Sequence, residues 1–141
     1  MVNPASINER LREMDENLIL LDEFKAISFD KFRADKKTLK CVERCLEISI
    51  QCILDICHHI IVDNNWPRPK DNAEALLTIG QKGLIPLGFA KRILPMVGLR
   101  NLLAHEYLKI DPKKLYKYLR NIDDFRAFQK HIIKFLKKAK E

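Results

Sequence analysis

Residues 36–62 read KKTLKCVERCLEISIQCILDICHHIIV, and this stretch decides the fold. On an ideal helix its apolar side chains cover well over half of the circumference. Its polar side chains gather in a narrower strip on one side: Glu43, Arg44, Glu47, Gln51, Asp55 and His58. Because a helix this apolar needs neighbours on most sides, we expect it to be the central element of the fold.

Further helices are predicted on either side of this stretch. An amphipathic helix precedes it, with apolar residues at alternating steps of four and three: Ile7, Leu11, Met14, Leu18 and Leu21. Residues 28–32 interrupt that period and are predicted to form a connector. Residues 63–70 predict a loop because they are rich in asparagine and proline. Residues 71–74 have the spacing of a capping box and start a short helix, which Gly80 and Gly83 end.

The C-terminal half predicts two more helical stretches. Residues 89–97 carry apolar side chains at helical spacing, and Pro95 predicts a kink or a break within them. Asp111 followed by Pro112 predicts the start of a last helix, which carries apolar residues as far as Phe135. No stretch has a convincing strand alternation. The sequence therefore predicts an all-α fold, a bundle of about five mostly antiparallel helices forming a single domain over residues 1–141.

Composition indicates a globular domain without a metal or a cofactor. The 141 residues carry a net charge of +7, which suits an anionic partner such as RNA or simply a solvated, lysine-rich end. The chain lacks 18 consecutive uncharged apolar residues and a signal peptide, so we expect a cytoplasmic protein that does not interact with a membrane. Its cysteines lack the spacing of a zinc site and are expected in the core: Cys41, Cys45, Cys52 and Cys57.

Residues 98–111, GLRNLLAHEYLKID, gather polar side chains suited to catalysis. If this stretch is helical, four of them share an arc of roughly 160° around the helix axis: Arg100, Asn101, His105 and Tyr107. Three leucines lie on the opposite side, where they would meet the core: Leu99, Leu102 and Leu103. The stretch predicts a helix with a buried back and a reactive polar front. The polar strip of residues 36–62 is expected to face solvent, with contact to this front as the alternative.

The motif combines an arginine and a histidine, but it has no carboxylate pair, no thiol nucleophile and no metal cluster. This combination suits the metal-free cleavage of RNA. In that reaction the ribose 2′-OH attacks the adjacent phosphate, so the substrate supplies its own nucleophile. His105 would act as acid or base near neutral pH, and Arg100 would stabilise the phosphate charge. Asn101 and Tyr107 could orient His105 or hold the phosphate. A two-fold dimer would bring a second His105 into the same cleft.

The block from Arg100 to Tyr107, followed by Asp111, resembles the Arg-x4-His-x-Tyr signature of the HepT-like toxins. These toxins belong to the HEPN superfamily (higher eukaryotes and prokaryotes nucleotide-binding). Residues 55–61 and the order of the helices also resemble the family, so the resemblance covers most of the chain. The sequence departs from the family at Leu99, where an aromatic residue is common, and this change should affect packing more than chemistry.

The resemblance implies a helical homodimer in which the two motifs face a shared basic cleft. It also implies a ribonuclease toxin with Arg100 and His105 in the catalytic positions. The implied partner is an MntA-like minimal nucleotidyltransferase antitoxin that binds the toxin and adds AMP groups to the motif tyrosine, here Tyr107. A nucleotide on this tyrosine would place bulk and negative charge where the phosphate of the substrate must bind.

Two other interpretations remain open. In the first, the protein is a non-cleaving partner module of a minimal nucleotidyltransferase, and Arg100 and His105 bind the phosphate of a nucleotide or RNA. In the second, it is a helical interaction domain with a basic face, and neither residue matters for its function. RNA cleavage that persists in a chelator and is lost in a His105→Ala variant would separate the ribonuclease from both.

Overall fold

The computed structural model describes residues 2–105 and 110–140. Within those residues the chain forms eight helices and no strand, which confirms the all-α prediction but exceeds the expected five helices. The helices are α1 (Pro4–Asp22), α2 (Phe29–Ala34), α3 (Lys36–Asp63), α4 (Asn72–Gln81), α5 (Leu87–Ile93), α6 (Pro95–Leu103), α7 (Pro112–Arg120) and α8 (Asp123–Ala139).

Helix α3 is the central element, as its apolar circumference predicts. It contacts α1, α2, α4, α6 and α7. Asp35 caps its N-terminus, and its carboxylate accepts hydrogen bonds from the backbone of Lys37 and from the backbone and hydroxyl of Thr38. These bonds, with the Thr38 hydroxyl contributing most, lower the pKa of the Asp35 carboxyl.

The apolar surface of α3 is mostly covered by the protein itself. Among the described residues, α3 is the one helix long and apolar enough to cross a membrane, and its most apolar 18 residues have a mean hydropathy of 1.6. In the fold, 61% of this 18-residue stretch is buried. The other helices therefore supply the apolar environment that the composition of α3 requires.

The N-terminal prediction is confirmed for α1 and wrong for the connector. The five apolar residues predicted to anchor the first helix are all buried. Residues 28–32, however, do not form a connector, because Ser28 caps a short helix, α2, by accepting a hydrogen bond from the backbone of Lys31. Phe32 of α2 is fully buried in the core. Six helical residues are too few to display a clear helical period, which explains the error.

Both ends of α4 were predicted from the sequence. At its start the capping prediction is confirmed, since the Asp71 carboxylate accepts a hydrogen bond from the backbone of Glu74 at 2.8 Å. At its end the two glycines have different roles. Gly83 follows the helix with a φ of +81°, as expected for a residue that terminates it. Gly80 instead lies within α4, where a Cβ would stand 2.8 Å from Cβ of Ala90. It therefore permits the close approach of α4 and α5.

The C-terminal half contains one confirmed break and one that was not expected. Pro95 begins α6 directly after α5, as predicted. The predicted single last helix is instead divided into α7 and α8, because Asn121 leaves the helical conformation with φ −115° and ψ 36°. Asp123 and Asp124 then occupy the first turn of α8, where negative charge is favourable.

Candidate active site

Arg100 lies on α6, and its side chain is held against α3. Its Nε donates a hydrogen bond to Oε1 of Gln51 at 2.8 Å. Its Nη1 lies 3.4 Å from Oδ1 of Asn101, the exposed neighbour on the same helix. Leu99 is fully buried and fixes this part of α6 to the core. The direction of the Arg100 guanidinium is therefore set by the fold of a single chain.

The contact with Gln51 continues into a chain of polar side chains along α3. Nε2 of Gln51 donates to Oδ1 of Asp55 at 2.8 Å. Oδ2 of Asp55 lies 3.8 Å from Nε of Arg10 on α1, in an ion pair. The expectation that the polar strip of α3 faces solvent is therefore wrong at Gln51, and contact with the motif is the alternative that holds.

A cleft of about 450 Å³ lies beside Arg100, between α1, α3 and α6. It contains three arginines and four acidic residues: Arg10, Arg44, Arg100, Glu9, Glu13, Glu47 and Asp55. Within it, Nη1 of Arg44 donates to Oε1 of Glu47 at 3.2 Å. Since acidic groups already face two of the arginines, Arg100, held by a neutral amide, is the cation best suited to an incoming phosphate.

His105 lies beyond the end of the motif helix. Helix α6 ends at Leu103, Ala104 forms its C-cap, and His105 is exposed, with its backbone N–H donating to the carbonyl of Leu102 at 3.2 Å. The predicted arc shared by four side chains on one helix is therefore wrong, because the helix stops before His105. Tyr107, the fourth side chain of that arc, lies outside the described residues.

His105 and Arg100 line neighbouring clefts. The His105 cleft has a volume of about 330 Å³ and is bounded by α3 and the end of α6. Arg44 and Glu47 of α3 line both this cleft and the Arg100 cleft. The structure thus brings the predicted arginine and histidine to either side of one pair of charged residues, rather than into one pocket.

One cysteine, Cys52, lines the Arg100 cleft, and its raised pKa makes it a poor nucleophile. Burial, followed by the negative charges of Asp55 and Glu13, raises the pKa of the Cys52 thiol to about 12. Cys45 and Cys57 are buried as well, which confirms their prediction as core residues, and Cys41 is half-buried. Among residues 2–105 and 110–140, no group of three histidine, cysteine or acidic side chains is placed to hold a metal ion.

The residue with the closest contact to Arg100, Gln51, was not among the predicted site residues. Its signal in the sequence was present but ambiguous. Gln51 and Asp55 are polar residues four positions apart in an otherwise apolar helix, which places them on one face. That spacing indicates a shared face, but it does not indicate which distant residue the face meets.

Comparisons with known proteins agree with the fold and with the family that the motif resembles. Residues 14–132 match the family model described as ribonuclease HepT-like. The chain is 32% identical over 115 residues to the tRNA nuclease HepT of Aphanizomenon flos-aquae (strain 2012/KM1/D3). That match covers 82% of this chain and 78% of the relative.

Two solved structures show the same fold at lower identity. The cytosolic protein YutE of Bacillus subtilis, of unknown function, has a TM-score of 0.85 at 18% identity, covering 98% of this chain and 93% of that one. The tri-AMPylated HEPN toxin of Shewanella oneidensis, in complex with MNT antitoxin, has a TM-score of 0.80 at 20% identity, covering 89% and 95%. With its motif, its helical fold and a family match over most of its length, the chain belongs to the HepT-like ribonuclease family.

Proposed function

We propose that this protein is a metal-independent endoribonuclease toxin of a toxin–antitoxin pair, with Arg100 and His105 as its catalytic residues. One observation carries the proposal: an arginine fixed by α3 and a histidine just past the end of the same short helix line neighbouring clefts. Membership in the HepT-like family supports it, as does the name tRNA nuclease carried by a relative of 32% identity.

In the proposed reaction, the 2′-OH of a ribose attacks the adjacent phosphate. His105 accepts the proton of the 2′-OH, the bond from O2′ to phosphorus forms, and the bond from phosphorus to O5′ breaks. The products are a 2′,3′-cyclic phosphate and a 5′-hydroxyl, which takes up a proton. Arg100 stabilises the negative charge that builds on the phosphate, and Asn101 helps to position it. No metal is needed, because the substrate supplies the nucleophile.

A homodimer with both motifs at a shared cleft would complete this machinery. In one chain, Arg44 and Glu47 stand between the clefts of Arg100 and His105. A two-fold axis beside the motif would bring the His105 of a second copy towards the Arg100 of the first. The second imidazole would then protonate the leaving oxygen, so that base and acid come from different copies.

The proposed partner is an MntA-like nucleotidyltransferase antitoxin that adds AMP to Tyr107. The AMPylated HEPN toxin of Shewanella oneidensis bound to MNT antitoxin supports this partner, since its fold is similar. Tyr107 is two residues from His105. AMP on its hydroxyl would add negative charge beside the catalytic groups and repel the phosphate of the substrate. The cytoplasm is the proposed location, where both RNA and antitoxin are available.

The test is cleavage of total RNA by purified protein in EDTA. Wild type, Arg100→Ala and His105→Ala are compared with His59→Ala, a half-buried histidine on α3 that lines neither cleft. The proposal is supported if wild type and His59→Ala cleave RNA while Arg100→Ala and His105→Ala do not. Equal cleavage by His105→Ala would overturn it.

A non-cleaving nucleotide- or RNA-binding module is the second candidate. The observation favouring it is that the Arg100 cleft contains three arginines but not His105, so phosphate could bind without a catalytic histidine. Tight binding of RNA or nucleotide without turnover by the wild type would support this candidate. The intact mass must first show that Tyr107 carries no AMP, since a modified toxin would also fail to cleave.

A further inference from the structure

Four side chains connect α1 to the motif through α3: Arg10, Asp55, Gln51 and Arg100. We propose that Gln51 is a positioning residue that aims Arg100 at the phosphate of the substrate, and that Asp55 fixes the orientation of the Gln51 amide. This inference rests on the proposed ribonuclease function, since it assigns how one of the two catalytic residues is held.

The orientation of the Gln51 amide follows from its two neighbours. A glutamine amide has a donor end and an acceptor end, and it can bind Arg100 only through its oxygen, because a guanidinium has donors but no acceptor. The Asp55 carboxylate accepts from the amide nitrogen at 2.8 Å and thereby favours the orientation in which the oxygen faces Arg100, also at 2.8 Å. The ion pair with Arg10 at 3.8 Å in turn holds Asp55.

The neutrality of Gln51 explains why an amide suits this position. A carboxylate would hold Arg100 equally well but would neutralise its charge and compete with the phosphate for the guanidinium. Arg44, by comparison, pairs with the carboxylate of Glu47 at 3.2 Å in the same cleft. Gln51 therefore fixes the direction of Arg100 and leaves its positive charge for the substrate.

Partial burial strengthens this arrangement. The bond between Gln51 and Arg100 is half-buried where α3 and α6 pack together, so water competes with it less than on an open surface. Because Gln51 comes from the central helix, 49 positions earlier in the sequence, the direction of Arg100 is tied to the core. A misplacement of about 1 Å in a catalytic group can cost about 100-fold in rate.

The experiment compares Gln51→Leu, Gln51→Glu and Asp55→Asn with the matched control Gln129→Leu. Gln129 is also half-buried and donates one hydrogen bond, to the carbonyl of Leu11, away from the motif. Two quantities are measured: the single-turnover rate of RNA cleavage in EDTA, and the NMR signal of the Arg100 Nε–H, assigned by its loss in Arg100→Lys.

Gln51→Leu is expected to lower the rate about tenfold or more and to shift the Arg100 Nε–H signal. Gln51→Glu is expected to keep a hydrogen-bonded Nε–H signal but still cleave more slowly, because its charge neutralises Arg100. Asp55→Asn allows both amide orientations and should give a smaller loss than Gln51→Leu. Gln129→Leu should change neither quantity.

The two readouts separate this inference from the proposed function. If wild type cleaves RNA and Gln51→Leu cleaves it equally fast, the positioning role is overturned while the ribonuclease stands. An unchanged Nε–H signal in Gln51→Leu also overturns it. If wild type cleaves no RNA, the proposed function falls, and with it the role of Gln51 in cleavage; the NMR signal then decides alone whether Gln51 holds Arg100. Gln51→Glu, which differs little in shape, keeps the test valid if Gln51→Leu does not fold.

Discussion

Arg100 and His105 are separated by five positions in the sequence, yet the fold holds them in different ways. Arg100 lies within α6, beside a fully buried leucine, and bonds to Gln51 of the central helix. His105 lies past the end of that helix and is exposed. The cation of the motif is thus fixed by the core of one chain, whereas the histidine lies outside the helix at an exposed position.

The difference suits the two chemical roles that we propose. A cation that stabilises transition-state charge works best when its position is fixed before the substrate arrives. An acid or base must meet the reacting proton within hydrogen-bond distance, and this geometry often tightens only once the substrate binds. The predictions below test this contrast between a fixed Arg100 and an exposed His105.

The largest expected effect is on catalysis. His105→Ala and Arg100→Ala should each lower the cleavage rate by about 10³-fold, equivalent to about 4 kcal/mol of barrier. Arg100→Ala should also lower the free energy of unfolding, by about 1–2 kcal/mol, because Gln51 loses a half-buried partner. Single-turnover cleavage and urea unfolding measure the two effects. Unchanged stability of Arg100→Ala would contradict an Arg100 that is fixed by Gln51.

The next effect concerns the packing under each end of the motif. Leu99→Ala should lower the free energy of unfolding by about 3 kcal/mol, since the side chain is fully buried beside Arg100. Leu102→Ala, nearer to His105 and only half-buried, should cost about 1 kcal/mol. Urea unfolding of both variants provides the comparison. A larger loss for Leu102→Ala would mean that the histidine end is the better anchored one.

The same contrast explains how much could be predicted from the sequence. The core face of α3 was predictable, because the apolar period of a long helix is repeated many times. The position of His105 was not predictable in the same way. The shared arc of four polar side chains required a helix that continues to Tyr107, whereas α6 ends at Leu103. Helix ends depend on a few residues, and periodicity does not define them.

Contacts between distant segments set the second limit. Gln51 and Arg100 are 49 positions apart. The local sequence places each of them on a polar face but does not decide whether the two faces meet. The division of the last helix into two was missed for a related reason. Its apolar period continues through Ile122 into Phe125, so the break at Asn121 is visible only in the backbone. Local patterns predicted the elements, while the site depends on how those elements pack.

A smaller effect is expected at the start of α7, which follows the motif. Asp111 caps this helix by accepting from the backbone of Lys113 at 3.0 Å, as Asp71 caps α4. Asp111→Ala and Asp71→Ala should each lower the free energy of unfolding by about 1 kcal/mol. Only Asp111→Ala should also slow cleavage, by a few-fold, because Asp111 lies six positions after His105, whereas Asp71 is distant from the motif in the sequence. Equal cleavage by the two variants would show that the α7 cap has no influence on the motif.

The smallest effect concerns the thiol in the Arg100 cleft. With the pKa of Cys52 raised to about 12 by burial, fewer than about one thiol in 1,000 is ionised at pH 8, and the fraction rises only as the pH approaches 12. A thiol reagent at pH 8 should therefore label about one cysteine per native chain, the half-buried Cys41, but all four after denaturation. Cleavage by the labelled native protein should stay within about twofold of the unlabelled rate. Rapid labelling of Cys52 would instead show that α1 and α3 separate readily beside Arg100, which would contradict a fixed arginine.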